Sequence, residues 1–134
     1  MKMRFTATAA ALVALSAPTI ASADDGLKYE DLVHCAATNL VVAAVLSGNE
    51  GDERAKVSIE TFKNQAVALI IVATVDLKKD VEVVKADVDA ETKRIQNIWG
   101  DPVKKRTFID VDVPKCRTLG EDAYYAVEEM KKSK

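Results

Sequence analysis

One histidine, two cysteines and three prolines are all that this 134-residue chain holds of those residue types. A zinc or iron–sulfur site needs three or four converging Cys or His ligands, and covalent haem needs Cys-x-x-Cys-His; His34, Cys35 and Cys116 supply neither. The five glycines form no phosphate loop or dinucleotide fingerprint, so the nucleotide-dependent classes have no motif to stand on. Aromatic residues are scarce, at 5%, which speaks against an aromatic-lined ligand barrel. An excess of positive charge is also missing. With 19 basic against 21 acidic residues, the chain has no cationic field to hold nucleic acid or anionic lipid.

The residues that could suggest catalysis lack partners. Ser58, Thr61 and Thr74 have no second histidine or nucleophile motif around them. Glu121-Asp122 and Glu128-Glu129 are adjacent in sequence, so on a helix they point to different sides and cannot face each other as acid and base. Asp110-x-Asp112 lacks the turn glycine and further ligand positions of a calcium loop. The expectation is a chain that is not an enzyme and needs no metal or cofactor.

What is present begins with an address. Lys2 and Arg4 form a positive start, Phe5 to Leu15 an Ala-rich apolar stretch, and Ala21-Ser22-Ala23 a small-x-small cleavage site. The apolar stretch is too short for a membrane span, which needs about 20 residues. Residues 1–23 therefore read as a secretory signal peptide, and residues 24–134 as a single domain without stable membrane insertion. Loss of Lys2 and Arg4, with no acidic residue beside them, takes the net charge from −2 to −4. Export to the periplasm or beyond is an oxidising fate, so Cys35 and Cys116 are expected to pair. Closing so long a loop removes about 4–5 kcal/mol of denatured-state entropy in the chain-entropy model. That is comparable with the whole net stability of a small domain.

The organising stretch is His34–Ser47, which carries the only histidine and one cysteine, and then seven consecutive apolar residues from Leu40 to Leu46. A first helix is predicted from near Tyr29 to Ser47, with Gly48 as a left-handed stop. Leu32, Cys35, Asn39, Val42 and Leu46 share one face of it, and its second half is apolar on every side. Asp52 should cap a second helix with Ile59, Phe62, Ala66, Leu69 and Ala73 inward. Its Ala66–Val75 segment also fits a buried strand; the period near four over the residues before it favours helix. Asp80 should cap a third helix, with Val81, Val84, Val88, Ile95 and Ile98 as its stripe. Asp101-Pro102 is a new helix start. Residues 103–113 read either as a short helix with Phe108 and Ile109 inward or as an extended segment; a lone strand would have no partner. Pro114 opens a last helix to about Met130, with Cys116, Leu119, Ala123, Val127 and Met130 inward and Gly120 inside it, weakening it by about 1 kcal/mol relative to Ala. Trp99 and the Tyr124-Tyr125 pair read first as packing and second as recognition.

The sum is an all-α, up-down four-helix bundle in which the first and last helices are neighbours and share the disulfide. Two helical runs that are apolar all round exceed what such a bundle needs to bury. A hydrophobic partner site or homodimer interface including Val41, Val45, Val67 and Ile71 is therefore expected. An exported helical chain with one disulfide is similar in general outline to the acid-stress chaperones of the bacterial periplasm, although no residue carries over. Three functions follow in order: an interaction module for a protein partner or itself, a stress holdase exposing apolar helices, and a small-molecule-binding bundle.

Overall fold

The computed structural model describes residues 27–49 and 52–133. The signal-peptide reading falls on residues 1–23, outside the described residues. Those described form α1 (Tyr29–Leu46), closed by a 3₁₀ turn (Ser47–Asn49), α2 (Glu53–Val75), α3 (Val81–Ile98), α4 (Pro102–Thr107), a π-helical turn (Phe108–Asp112) and α5 (Val113–Lys132). Right-handed helical dihedrals persist through both junctions, at Thr107, Phe108, Asp112 and Val113. The last three elements are therefore one long helix, and the architecture is a four-helix, all-α bundle. Ala66–Val75 is helical, and so is the whole of 103–113.

Side chains start the helices where the sequence places them. Asp52 accepts from the Arg54 N–H, Asp80 from those of Glu82 and Val83, and Asp101 from those of Val103 and Lys104. Each satisfies donors that the first turn leaves free, worth about 1 kcal/mol apiece. The stops differ from expectation. Gly48 lies inside the 3₁₀ turn and does not take the left-handed conformation. Among the non-glycine described residues only Lys78, with φ 54°, is left-handed; there α2 ends, and the Lys79 N–H reaches the Ala73 carbonyl.

The π turn has a local cause. Pro114 has no N–H to return to the preceding turn, and its ring crowds the carbonyl four residues back. Widening by one residue relieves both demands, and the Val113 N–H donates to the Phe108 carbonyl, five residues back. The widened turn sends Phe108 into the core, edge-to-face on Trp99 with ring centroids 5.7 Å apart. Ile109, expected inward, is instead 43% exposed. Val81, at the first turn of α3, is also exposed, while Val84, Val88 and Ile95 are buried as expected.

α1 is the central element, packed against α2, α3 and α5, while α2 also packs on α5. Its enclosed part is one turn earlier than the apolar run suggests. Cys35, Ala36, Ala37, Thr38 and Asn39 are all inaccessible, whereas Ala44 and Val45 are exposed. Helix crossings, not local hydropathy, set this: the Cys35–Cys116 bond, with its Cα atoms 4.7 Å apart, brings α5 onto the middle of α1. Ala36 and Ala37 are small enough for the neighbouring helices to close over them. Among the described residues α1 alone is long and apolar enough to cross a membrane by length and composition, with mean hydropathy 1.2; half of it is buried in the bundle.

Candidate functional site

α5 reaches the bundle through Gly120. A Cβ there would lie 2.7 Å from Asn39 Nδ2, 2.8 Å from Gln65 Oε1 and 2.9 Å from Gln65 Cβ. The missing side chain thus permits the three-helix approach, which is the reason for a glycine that weakens its own helix. Two amides line this contact, Asn39 fully buried and Gln65 5% exposed. Among the described residues neither Asn39 amide atom nor Gln65 Oε1 has a hydrogen-bond partner. Such an atom carries a desolvation cost of about 1–3 kcal/mol, so the cluster is a weak seat for α5 unless something else satisfies it.

From this point a groove opens between α2 and α5. One hollow, about 210 Å³, is lined by Val67, Ala68, Ile71, Tyr124 and Val127, with Glu128 and Lys131 at its lip. The other, about 270 Å³, is lined by Thr61, Gln65, Glu121, Tyr124 and Tyr125. Asn64 and Tyr124 belong to both, so the hollows are neighbours, the first of mixed polarity and the second more polar. The two tyrosine rings stand edge-to-face, 6.0 Å apart. Tyr125 is 68% exposed, so its ring is surface more than packing.

The expected interface residues divide. Val67 is 54% exposed and lines the groove together with Ile71, which is partly buried. Val45 is half-exposed at the end of α1 and does not line the groove. Val41, at 5% exposure, is core, on a helix that packs against α2, α3 and α5. Gln65 and Gly120 escaped the sequence reading as site residues. Their signal was faint: Gln65 is a polar residue at an inward position between Phe62 and Leu69, just as Asn39 sits in the inward stripe of α1.

A second polar cluster surrounds His34. Its Nδ1 lies 2.7 Å from Glu91 Oε2, and its Nε2 lies 3.4 Å from Asp112 and 3.5 Å from the Thr38 hydroxyl. Arg94 binds the same Glu91 carboxylate through two nitrogens, at 2.9 and 2.6 Å. That guanidinium holds the Glu91 carboxyl below its ordinary range, against the opposing effect of burial and with help from His34. The cluster joins α1, α3 and the π turn. It ties these elements together, with Thr38 sealed from solvent and His34, Glu91 and Asp112 partly buried. Among the described residues no three His, Cys, Asp or Glu side chains converge so as to hold a metal ion. Tyr29 makes a similar tie at the start of α1, donating to Asp87 at 2.6 Å while the Lys79 ammonium covers its ring. Burial first, and the Asp87 carboxylate second, push the Tyr29 phenol up to about 12.

Comparison with known protein families, with curated proteins and with solved structures finds no match to this chain.

Proposed function

We propose that the chain is an exported, non-enzymatic binding module whose α2–α5 groove receives a protein partner, a second copy of the chain included. The observation that carries this reading is the groove, an open furrow with Val67, Ile71 and Tyr124 on its apolar side, adjoining a more polar cleft. Contiguous apolar surface with a polar border is the usual form of a docking site. Export is supported by the leader pattern at Lys2 to Ala23 and by a disulfide that an oxidising compartment would maintain.

A photo-crosslinking residue at position 67 tests the reading, with the same residue at position 83, exposed on α3, as control. Position 67 should give one discrete adduct in the intact cell envelope and position 83 none; an adduct with itself identifies a homodimer. Val67→Lys should keep the fold and abolish the contact measured by crosslinking from position 71. Equal, diffuse labelling from 67 and 83 would refute a docking groove.

The unpartnered amides at the seat of α5 favour a second reading, a holdase that exposes apolar surface as α5 loosens. Suppression of client aggregation that is absent at neutral pH and appears on acid challenge would support it over the first. The small-molecule reading has only the polar cleft behind it, whose volume suits a side chain better than a cofactor.

A further inference from the structure

We infer that His34 is a proton-operated clasp. Its Nε2 pairs with the Thr38 hydroxyl when the ring is neutral and with the Asp112 carboxylate when the ring is protonated, so mild acid fastens the start of α5 to α1. The device shares no residue with the α2–α5 groove and stands whether or not that groove docks a partner.

The two ring nitrogens meet carboxylates from two different elements. Glu91 on α3 is 2.7 Å from Nδ1, and Asp112 in the π turn is 3.4 Å from Nε2. An ionised carboxylate only accepts, so Nδ1 must carry a hydrogen to hold Glu91. Arg94 keeps Glu91 ionised by binding the same carboxylate, at 2.9 and 2.6 Å. A neutral imidazole has one hydrogen, already given to Glu91, and turns a lone pair at Nε2 toward Asp112. The Thr38 hydroxyl, 3.5 Å away, can donate to that lone pair; Asp112 cannot. A second ring proton reverses the preference, because an imidazolium donates from both nitrogens and attracts the Asp112 charge.

The charges around the ring point the same way. Glu91 and Asp112 face the single guanidinium of Arg94, which leaves one negative charge in excess until the ring is protonated. One turn before His34, Asp31 faces Lys115 of α5 at 3.9 Å, an opposite pair that does not alter this balance. Histidine is the side chain whose charge changes between about pH 5 and 8, and this ring, 22% exposed, is open to solvent protons. Asp112 is the residue from which α5 begins, so its capture by the ring is felt at the start of that helix. Stronger acid protonates the carboxylates and undoes the clasp, which therefore closes only in mild acid.

His34 is the sole histidine, so two-bond ¹H–¹⁵N correlation in the disulfide-intact, ¹⁵N-labelled chain reads its ring alone. At about pH 7.5 Nδ1 should carry the hydrogen and Nε2 none, and at about pH 5.5 both should be protonated. Over the same interval amide hydrogen exchange at Val113, Lys115 and Cys116, corrected for its intrinsic pH dependence, should slow by about threefold or more relative to α3. Asp112→Ala should abolish that slowing, whereas Asp110→Ala, which removes a neighbouring exposed carboxylate paired with Arg106, should keep it. A hydrogen on Nε2 and none on Nδ1 at the higher pH, slowing that survives Asp112→Ala, or slowing lost equally in Asp110→Ala overturns the clasp. The ring measurement needs no variant, so the tautomer decides even where Asp112→Ala folds poorly.

Discussion

Replacing Gly120 with alanine sets two effects of known sign against each other. Alanine stabilises a helix interior by about 1 kcal/mol over glycine, and at an open position that would be the whole result. At Gly120 the new methyl would sit 2.7 to 2.9 Å from Asn39 Nδ2, Gln65 Oε1 and Gln65 Cβ. Asn39 is fully buried and has no free space to retreat into, and the Gln65 contact at Cβ is close to backbone, not at a flexible tip. Overpacking of this kind costs about 1–3 kcal/mol, and pushing α5 outward also sacrifices contacts of the buried Ala123 and Val127. The overpacking should win, with a net loss of about 1–2 kcal/mol. Urea unfolding with the disulfide intact would show a lower midpoint at an unchanged slope, and a melting temperature lower by about 4–8 °C per kcal/mol. Gln65→Ala in the same chain should make Gly120→Ala less harmful, because it removes one of the three collisions, that with Oε1, and frees space beside the Cβ that remains. A midpoint that rises in the single variant would refute the close three-helix contact.

Three further outcomes follow from the same structure. Cys116→Ala or Cys35→Ala should cost about 2–5 kcal/mol in urea unfolding, and a loss below about half a kcal/mol would mean that the bond does not hold the fold. Glu91 has a lowered pKa in the folded chain, so its stabilising effect is present above the ordinary carboxyl pKa of about 4.3 and is lost as pH falls through the folded value. Glu91→Gln should therefore destabilise at pH 7, by about 1 kcal/mol once screening at the half-exposed Arg94 is counted, and the gap to the parent should close in acid; a gap constant with pH would refute this tie. Intact-mass analysis of the exported chain should give a product beginning at Asp24 and two hydrogens lighter than its reduced form, whereas retention of Lys2–Ala23 would remove the basis for export.

Much of the bundle was legible because its determinants are local. Asp52, Asp80 and Asp101 precede apolar-periodic segments, and a cap needs only its own next three residues. The pairing of Cys35 with Cys116 followed from there being no other cysteine. What lay beyond the sequence depended on which helix crosses which. Val41 and Val45 are the same residue type four positions apart on one helix, yet one is core and the other half-exposed, a difference that composition does not carry. Ile109 faces water because Pro114, five residues on, widens the turn before it. Gly120 read as a local weakness and is instead the point of closest approach between three helices. The candidate groove belongs to the same class. Gln65 and Glu121 are ordinary polar residues on separate helices, and only the packing of α5 against α2 brings them to one cleft. Caps, period and cysteine count act over a few residues or by elimination, so sequence alone determined them; burial and grooves are properties of pairs of helices, and tertiary structure decided those.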